Sequence, residues 1–197
     1  RDLAPADLHL AVPGEHNAQN AACALAALEL AGVERREAEQ ALAEFQGAGR
    51  RQESRGEAGG VRLLDDYGHH PAEVEATLAA ARELAGDGRV LVLFQPHLFS
   101  RTLHLQRELA QALATADVAC VTEIYAAREE PLDDVSGKLI VDRLAEIRPG
   151  MAIAWAPAVE TAATMVADLA RERDLIVTIG AGDVDRAVPV IVDRLRS

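Results

Sequence analysis

With 197 residues, the chain has room for one large domain, or one domain with part of another. Hydrophobic residues make up 49% but aromatics only 3%, so a sizeable core is expected to be aliphatic and alanine-rich. The formal net charge of −12, from 32 acidic and 20 basic residues, argues against nucleic acid or an anionic membrane surface as a partner, because both select basic patches.

No apolar run approaches the roughly 18 residues needed to span a bilayer. Cys23 and Cys120 lie far apart in apolar contexts with no C-x-x-C spacing, which predicts buried free thiols in a reducing compartment. The opening Arg1-Asp2-Leu3-Ala4-Pro5 has neither a signal-peptide pattern nor an initiating methionine. A cytoplasmic protein entered partway along its length is the expectation.

Residues 8–12 read as a short strand closed by Pro13-Gly14. Residues 15–31 read as a helix, with Ala21, Leu25 and Leu28 forming an apolar stripe and Gly32 stopping it. Residues 34–45 form a second, highly charged helix, and Gln46-Gly47-Ala48-Gly49 marks a domain boundary. Residues 52–54 and 61–64 are expected to pair as a hairpin around residues 56–60. A helix over 72–84 is stopped by Gly86-Asp87-Gly88. Val90–Phe94 is apolar throughout, as in a central parallel strand covered on both faces. The alternation continues with helix 103–115, strand 118–122, helix 138–147, strand 151–155, helix 158–170, strand 175–179 and helix 184–195. This rhythm predicts a three-layer α/β domain with a mainly parallel sheet flanked by helices over residues 48–197, preceded by the helices of another domain.

Asp65-Asp66-Tyr67-Gly68-His69-His70-Pro71 places carboxylates, a phenol and imidazoles where a strand is expected to give way to a helix. Open α/β sheets hold their ligands in that crevice, outside the carboxyl ends of the strands. Packing explains the stretch poorly, since two adjacent aspartates repel unless a cation or donor is near. The bland reading is solvated polar surface. Phe94-Gln95-Pro96-His97-Leu98-Phe99-Ser100-Arg101-Thr102 leaves the most apolar strand and projects into the same cleft. There an imidazole and a guanidinium would hold a small carboxylate, unless Arg101 only caps the helix that follows.

Glu15-His16-Asn17-Ala18-Gln19-Asn20 opens the first helix, with Asn17 and Asn20 on one face. Carboxamides offer both a donor and an acceptor to a base edge, although Asn and His are also common near helix starts. Gly47-Ala48-Gly49-Arg50-Arg51-Gln52-Glu53 places two arginines at the expected boundary. They suit phosphate in a cleft, or surface ion pairs with Glu53 or Glu57. Gly180-Ala181-Gly182-Asp183 lacks the third glycine of a dinucleotide fingerprint and reads as a tight turn under close packing. Ser136-Gly137-Lys138 lacks the upstream glycine and preceding strand of a phosphate loop. His69, His70, His97 and Asp66 show no H-x-x-x-H spacing, which leaves zinc a minor alternative.

Taken in series, Gly14-Glu15-His16-Asn17-Ala18-Gln19-Asn20-Ala21, Arg50-Arg51-Gln52-Glu53, the 65–71 stretch and Phe94-Gln95-Pro96-His97 resemble the Mur ligases of bacterial peptidoglycan synthesis. The last two, with Tyr125-Ala126-Ala127-Arg128-Glu129, Ser136-Gly137 and Gly180-Ala181-Gly182-Asp183-Val184, look like the branch that joins L-alanine to UDP-N-acetylmuramate. The resemblance covers essentially the whole chain. It implies an ATP- and Mg²⁺-dependent ligase that forms an acyl phosphate and then an amide. It also implies three domains, of which residues 1–47 would be the end of the central ATPase domain and 48–197 the Rossmann-like C-terminal domain. The N-terminal UDP-binding domain and most of the central domain would then be the partners of this piece. No G-x-x-G-K-[ST] occurs in the sequence, so the piece alone is expected to be inactive.

By the same resemblance, Asn17 and Asn20 are adenine-side, Arg51 contacts ATP, and Asp66 lies near the ribose. Tyr67, His69, His97 and Arg101 line the amino-acid pocket. Leu98 stands where many members carry Arg, and Gln52 where Phe is usual. Alternatives are a Mur ligase that adds a later residue, or a non-catalytic doubly wound ligand-binding module.

Overall fold

In the computed structural model, residues 9–12, 15–45 and 49–197 are described, apart from the side chains of Glu15 and His16. The chain divides into two compact units, Arg1–Gly49 and Arg50–Ser197.

The first unit contains α1 (Glu15–Leu30) and α2 (Arg35–Glu44). Ala21 and Leu25 are buried along the expected stripe of α1, and Gly32, at φ +88, lies just past its end in a conformation that suits glycine. Two expectations fail here. Residues 9–12 form no strand, and residue 8 lies outside the described residues. Cys23 is exposed rather than buried, because the stripe that packs α1 runs through other positions.

The second unit is a six-stranded sheet between two helical layers. It runs β1 (Glu53–Ala58), β2 (Val61–Asp66), α3 (Pro71–Ala85), β3 (Val90–Phe94), α4 (Phe99–Leu113), β4 (Val118–Val121), α5 (Lys138–Ile147), β5 (Ala152–Trp155), α6 (Val159–Leu169), β6 (Leu175–Ile179), a 3-10 turn at Val184–Arg186 and α7 (Ala187–Arg196). The order across the sheet is β1-β2-β6-β3-β4-β5, with every pair parallel except β1 and β2. The α/β reading with a mainly parallel sheet therefore holds.

The hairpin turn is Gly59-Gly60, with φ of +56° and +74°. Positive φ at both central positions lets a two-residue turn follow the twist of its strands. β1 runs through Gly56 by way of a register shift, so its strand is longer than residues 52–54.

Alternation explains why β3 is apolar at every position. Val90, Val92 and Phe94 face the layer of α3, α4 and α5. Leu91 and Leu93 face the layer of α6 and α7. All five are at most 1% exposed, and removing the Phe94 ring would cost about 3–5 kcal/mol.

β6 is central, inserted between β2 and β3. β2 and β3 lead into helices on one face, while β6 leads into α7 on the other. Connections leaving one edge in opposite directions open a crevice at the carboxyl ends of β2, β6 and β3. Among the described residues, no helix is long and apolar enough to cross a membrane.

Candidate functional site

Asp65 and Asp66 do not sit on a turn. They are the last two residues of β2, 0% and 4% exposed. Each has its own donors, which removes the repulsion that seemed to call for a cation. Asp65 Oδ2 accepts from Arg50 Nε at 2.9 Å, and its Oδ1 accepts from the Thr178 hydroxyl at 2.5 Å. Asp66 accepts the Gln52 N–H at 2.8 Å on one oxygen and the Gly68 N–H at 2.7 Å on the other. Both acids are thus engaged in holding the loops around the crevice.

The sequence offered Arg50 and Arg51 alike for phosphate or surface ion pairs, and the structure turns Arg50 inward. Its Nη1 and Nη2 donate to the carbonyls of Gly182 (2.8 Å) and Gly180 (2.7 Å), so one guanidinium joins β2 to the connection after β6. Its backbone carbonyl accepts the Tyr67 N–H at 2.6 Å, and its guanidinium carbon lies 5.4 Å from the Tyr67 ring centroid. The expected surface pairing with Glu53 is made by the Arg50 backbone N–H instead. Arg51, half exposed, lies 5.5 Å from the same ring and 4.0 Å from Glu73. The only signal in the sequence was the doublet itself, which does not say which arginine turns inward.

From Tyr67 a row of rings crosses the crevice. Tyr67 meets His69 edge-on at 5.7 Å, His69 meets His97 at 5.4 Å, and His97 stacks with Tyr125 at 5.9 Å and 15°. The two histidines come from different connections, those after β2 and β3, brought together by the sheet order. Tyr125 follows β4; the same crevice rule applied to that strand would have found it.

α4 begins at Phe99, four residues before the expected start, and this sets the arginine. Arg101 falls in the first turn, where its Nη1 lies 3.3 Å from His97 Nδ1. Arginine can only donate, so Nδ1 accepts and the neutral imidazole keeps its proton on Nε2. Burial first, then the Arg101 guanidinium and the neighbouring His69, push His97 below the usual histidine range, against a weaker pull from Glu129. Glu129 accepts from the Ser100 hydroxyl (2.5 Å) and N–H (2.9 Å), tying the loop of Tyr125 to the start of α4. Its carboxyl is held low mainly by those bonds.

His70 is exposed at the N-cap of α3, and Glu73 accepts the N–H groups of His69 (2.9 Å) and His70 (3.0 Å). Burial acts to raise Glu73, but these donors and the nearby His69 and Arg51 outweigh it and leave the carboxyl below its usual range. Among the described residues, no group of three or more His, Cys, Asp or Glu is placed to hold a metal ion.

The close-packing reading of the 180–183 turn agrees with the structure. A Cβ on Gly182 would come within 2.3 Å of Gln95 Oε1 and 2.5 Å of the Tyr125 ring. Gln95, itself buried, donates from Nε2 to Asp183 Oδ1 at 2.8 Å and so fixes the turn against β3. Lys138 is exposed and paired with Asp142 at 2.7 Å, while a Cβ on Gly137 would strike the Thr122 carbonyl at 2.0 Å.

Among the sequence-derived candidates, Arg51, Asp66, Tyr67, His69, His97 and Arg101 all belong to the second unit and gather at the carboxyl ends of its strands. Asn17, half-buried, and Asn20, exposed, lie on α1 of the first unit. Gln52 adopts φ +48° and gives its N–H to Asp66. Leu98, at φ +69°, precedes α4 and donates its N–H to the Tyr125 carbonyl. Nothing in the structure explains why glutamine stands at position 52.

The chain is 50% identical over 188 residues to the UDP-N-acetylmuramate–L-alanine ligase of Paenarthrobacter aurescens, a match covering 95% of this chain and 40% of that protein. Among solved structures, it resembles the UDP-N-acetylmuramate–alanine ligase of Thermotoga maritima, with 28% identity and a TM-score of 0.69 over 94% of this chain and 39% of the other. It also resembles a murein peptide ligase of Psychrobacter arcticus, with 26% identity and a TM-score of 0.75 over 95% of this chain and 38% of the other. The chain thus spans about 40% of the length of the curated relatives it matches. The family model for the Mur ligase glutamate ligase domain matches residues 50–182, which contain the whole ring row, Arg101 and the Gly180–Gly182 turn that Arg50 holds. The chain belongs to the Mur ligase family.

Proposed function

We propose that this chain is the C-terminal part of an ATP-dependent ligase that joins L-alanine to UDP-N-acetylmuramate in the cytoplasm. The observation that carries this is the cluster of Tyr67, His69, His97 and Arg101 at one end of the sheet. It offers a fixed positive charge and ring N–H donors to a small carboxylate. In this reading residues 1–47 end the central ATPase domain and 48–197 form the C-terminal domain. The partners of the piece are the UDP-binding N-terminal domain and the rest of the central one.

The muramate carboxylate takes the γ-phosphoryl group of ATP and releases ADP. The unprotonated alanine amine then attacks the acyl carbon, phosphate leaves, and the amine loses a proton. Phosphorylation makes the leaving group good, and holding both reactants in a shared cleft supplies the proximity. Arg101 holds the alanine carboxylate, with the neutral His97 donating from Nε2 and His69 and Tyr67 closing the pocket. Arg51, Asn17 and Asn20 serve the nucleotide. Asp66 acts on it through the Gln52 and Gly68 backbone it holds, since both of its oxygens already accept.

The described residues do not fit Mg²⁺, because the acids nearest the crevice are committed to Arg50, Thr178 and backbone N–H groups. No step is therefore assigned to a metal in this piece.

The test is steady-state ADP release by the complete ligase with UDP-N-acetylmuramate, varying L-alanine and ATP separately. Arg101→Ala should lower kcat/KM for alanine about 30- to 1000-fold, from a loss of about 2–4 kcal/mol, and leave the KM for ATP within about twofold. Unchanged alanine kinetics with a collapse in ATP affinity would place Arg101 in the nucleotide site and overturn the reading.

A further inference from the structure

Tyr125 has no part in the function proposed above, yet its placement is more constrained than that of an ordinary surface tyrosine. Its N–H donates to the Pro96 carbonyl at 2.8 Å, and its carbonyl accepts the Leu98 N–H at 3.0 Å. These bonds form a parallel bridge to His97, which extends the pairing of β3 and β4 past both strands. The register of Tyr125 against His97 is therefore set by the backbone. Its ring stacks on the imidazole at 5.9 Å and 15°. The same ring rests on Gly182, where a Cβ would come within 2.5 Å of Cγ and 2.6 Å of Cδ2. Gly182 is in turn held through its carbonyl by Arg50.

Resting on the amino-acid pocket of the proposed function, we propose that Tyr125 is a positioning residue whose ring holds the His97 imidazole so that Nδ1 faces Arg101. A stacked ring limits rotation about the His97 side-chain bonds. With Nδ1 kept on Arg101, the guanidinium is steered into the crevice and Nε2–H is left for the substrate. The groups facing His97 are Arg101 from α4, His69 from the connection after β2, and Glu129 and Tyr125 from the connection after β4. Removing the Tyr125 ring opens His97 to water and loosens its contact with Arg101. Both changes favour the imidazolium, so the imidazole should titrate at higher pH.

Two measurements test this. In the complete ligase, Tyr125→Ala should raise the KM for L-alanine about tenfold, with kcat and the KM for ATP moving less than about threefold. Tyr125→Phe keeps the ring and should restore the KM. Gly182→Ala, whose new methyl must push the ring away, should shift the KM in the same direction as Tyr125→Ala. In a His97→Ala background, Tyr125→Ala should add almost nothing, because a residue that acts through His97 has nothing left to position. An equal further loss there would overturn the proposal, since it would show an independent, merely structural role.

The second measurement uses the 197-residue chain without substrate, following the His97 ring by NMR across pH. Its titration should move up in Tyr125→Ala and stay in place in Tyr125→Phe. A midpoint unchanged in Tyr125→Ala overturns the proposal whatever the substrate is. Absence of alanine-dependent turnover in the wild-type ligase would instead sink the functional reading and leave this measurement to decide the role of Tyr125.

Discussion

Arg50→Ala is the substitution whose cost follows most directly from the geometry. Asp65 is fully buried and pairs with Arg50 Nε at 2.9 Å, while Arg50 itself is 19% exposed. Truncating the arginine leaves a carboxylate inside the sheet with only the Thr178 hydroxyl for company, and strips the Gly180 and Gly182 carbonyls of a donor. Breaking a buried pair from one side costs about 3–5 kcal/mol, most of it the stranded charge. For a unit of this size that corresponds to a Tm lower by about 6–20 °C, or a urea midpoint lower by about 2 M. The single tryptophan, Trp155, lies in β5, so its fluorescence reports unfolding of the second unit. Arg55→Ala is the internal comparison. Its partner Glu53 is about as exposed as Arg55 itself, and the pair should be worth less than about 1 kcal/mol. Asp65→Asn combined with Arg50→Ala should recover part of the loss, because the stranded charge is then gone. If Arg50→Ala costs no more than Arg55→Ala, the buried-pair argument is refuted.

Two further outcomes are expected. Burial pushes the Cys120 thiol up to about 11, while Cys23 is exposed, so a thiol reagent at pH 8 should modify one cysteine in the native chain and both in denaturant; rapid modification of both in the native chain would contradict this. Because the folded-state pKa of Glu73 is depressed, its contribution to stability should be present above the unfolded-state value of about 4.3 and be lost as pH falls through the folded value. The difference in urea midpoint between wild type and Glu73→Gln should therefore shrink from pH 6 to pH 3, and a difference that grows on acidification would reverse the sign.

The sequence determined most of the elements by itself, because the information needed for them is local. Val90–Phe94 reads as a doubly covered strand since both sides of its alternation are apolar, and Lys138–Ile147 and Leu175–Ile179 read correctly to the residue. The crevice rule likewise brings the 65–71 and 94–102 stretches together from the sequence alone, because it needs only the ends of consecutive strands. Periodicity states which side of an element is covered, but not by what. Only the tertiary structure placed β6 between β2 and β3 and so put Asp65 beside Thr178. Only there does Arg50 rather than Arg51 turn inward, because its acceptors at Gly180 and Gly182 lie 130 and 132 residues along the chain. The same holds for Tyr125, which meets His97 across two strand ends and Gly182 across a third. Contacts of that span depend on sheet order and helix handedness, and no window of neighbouring residues contains them.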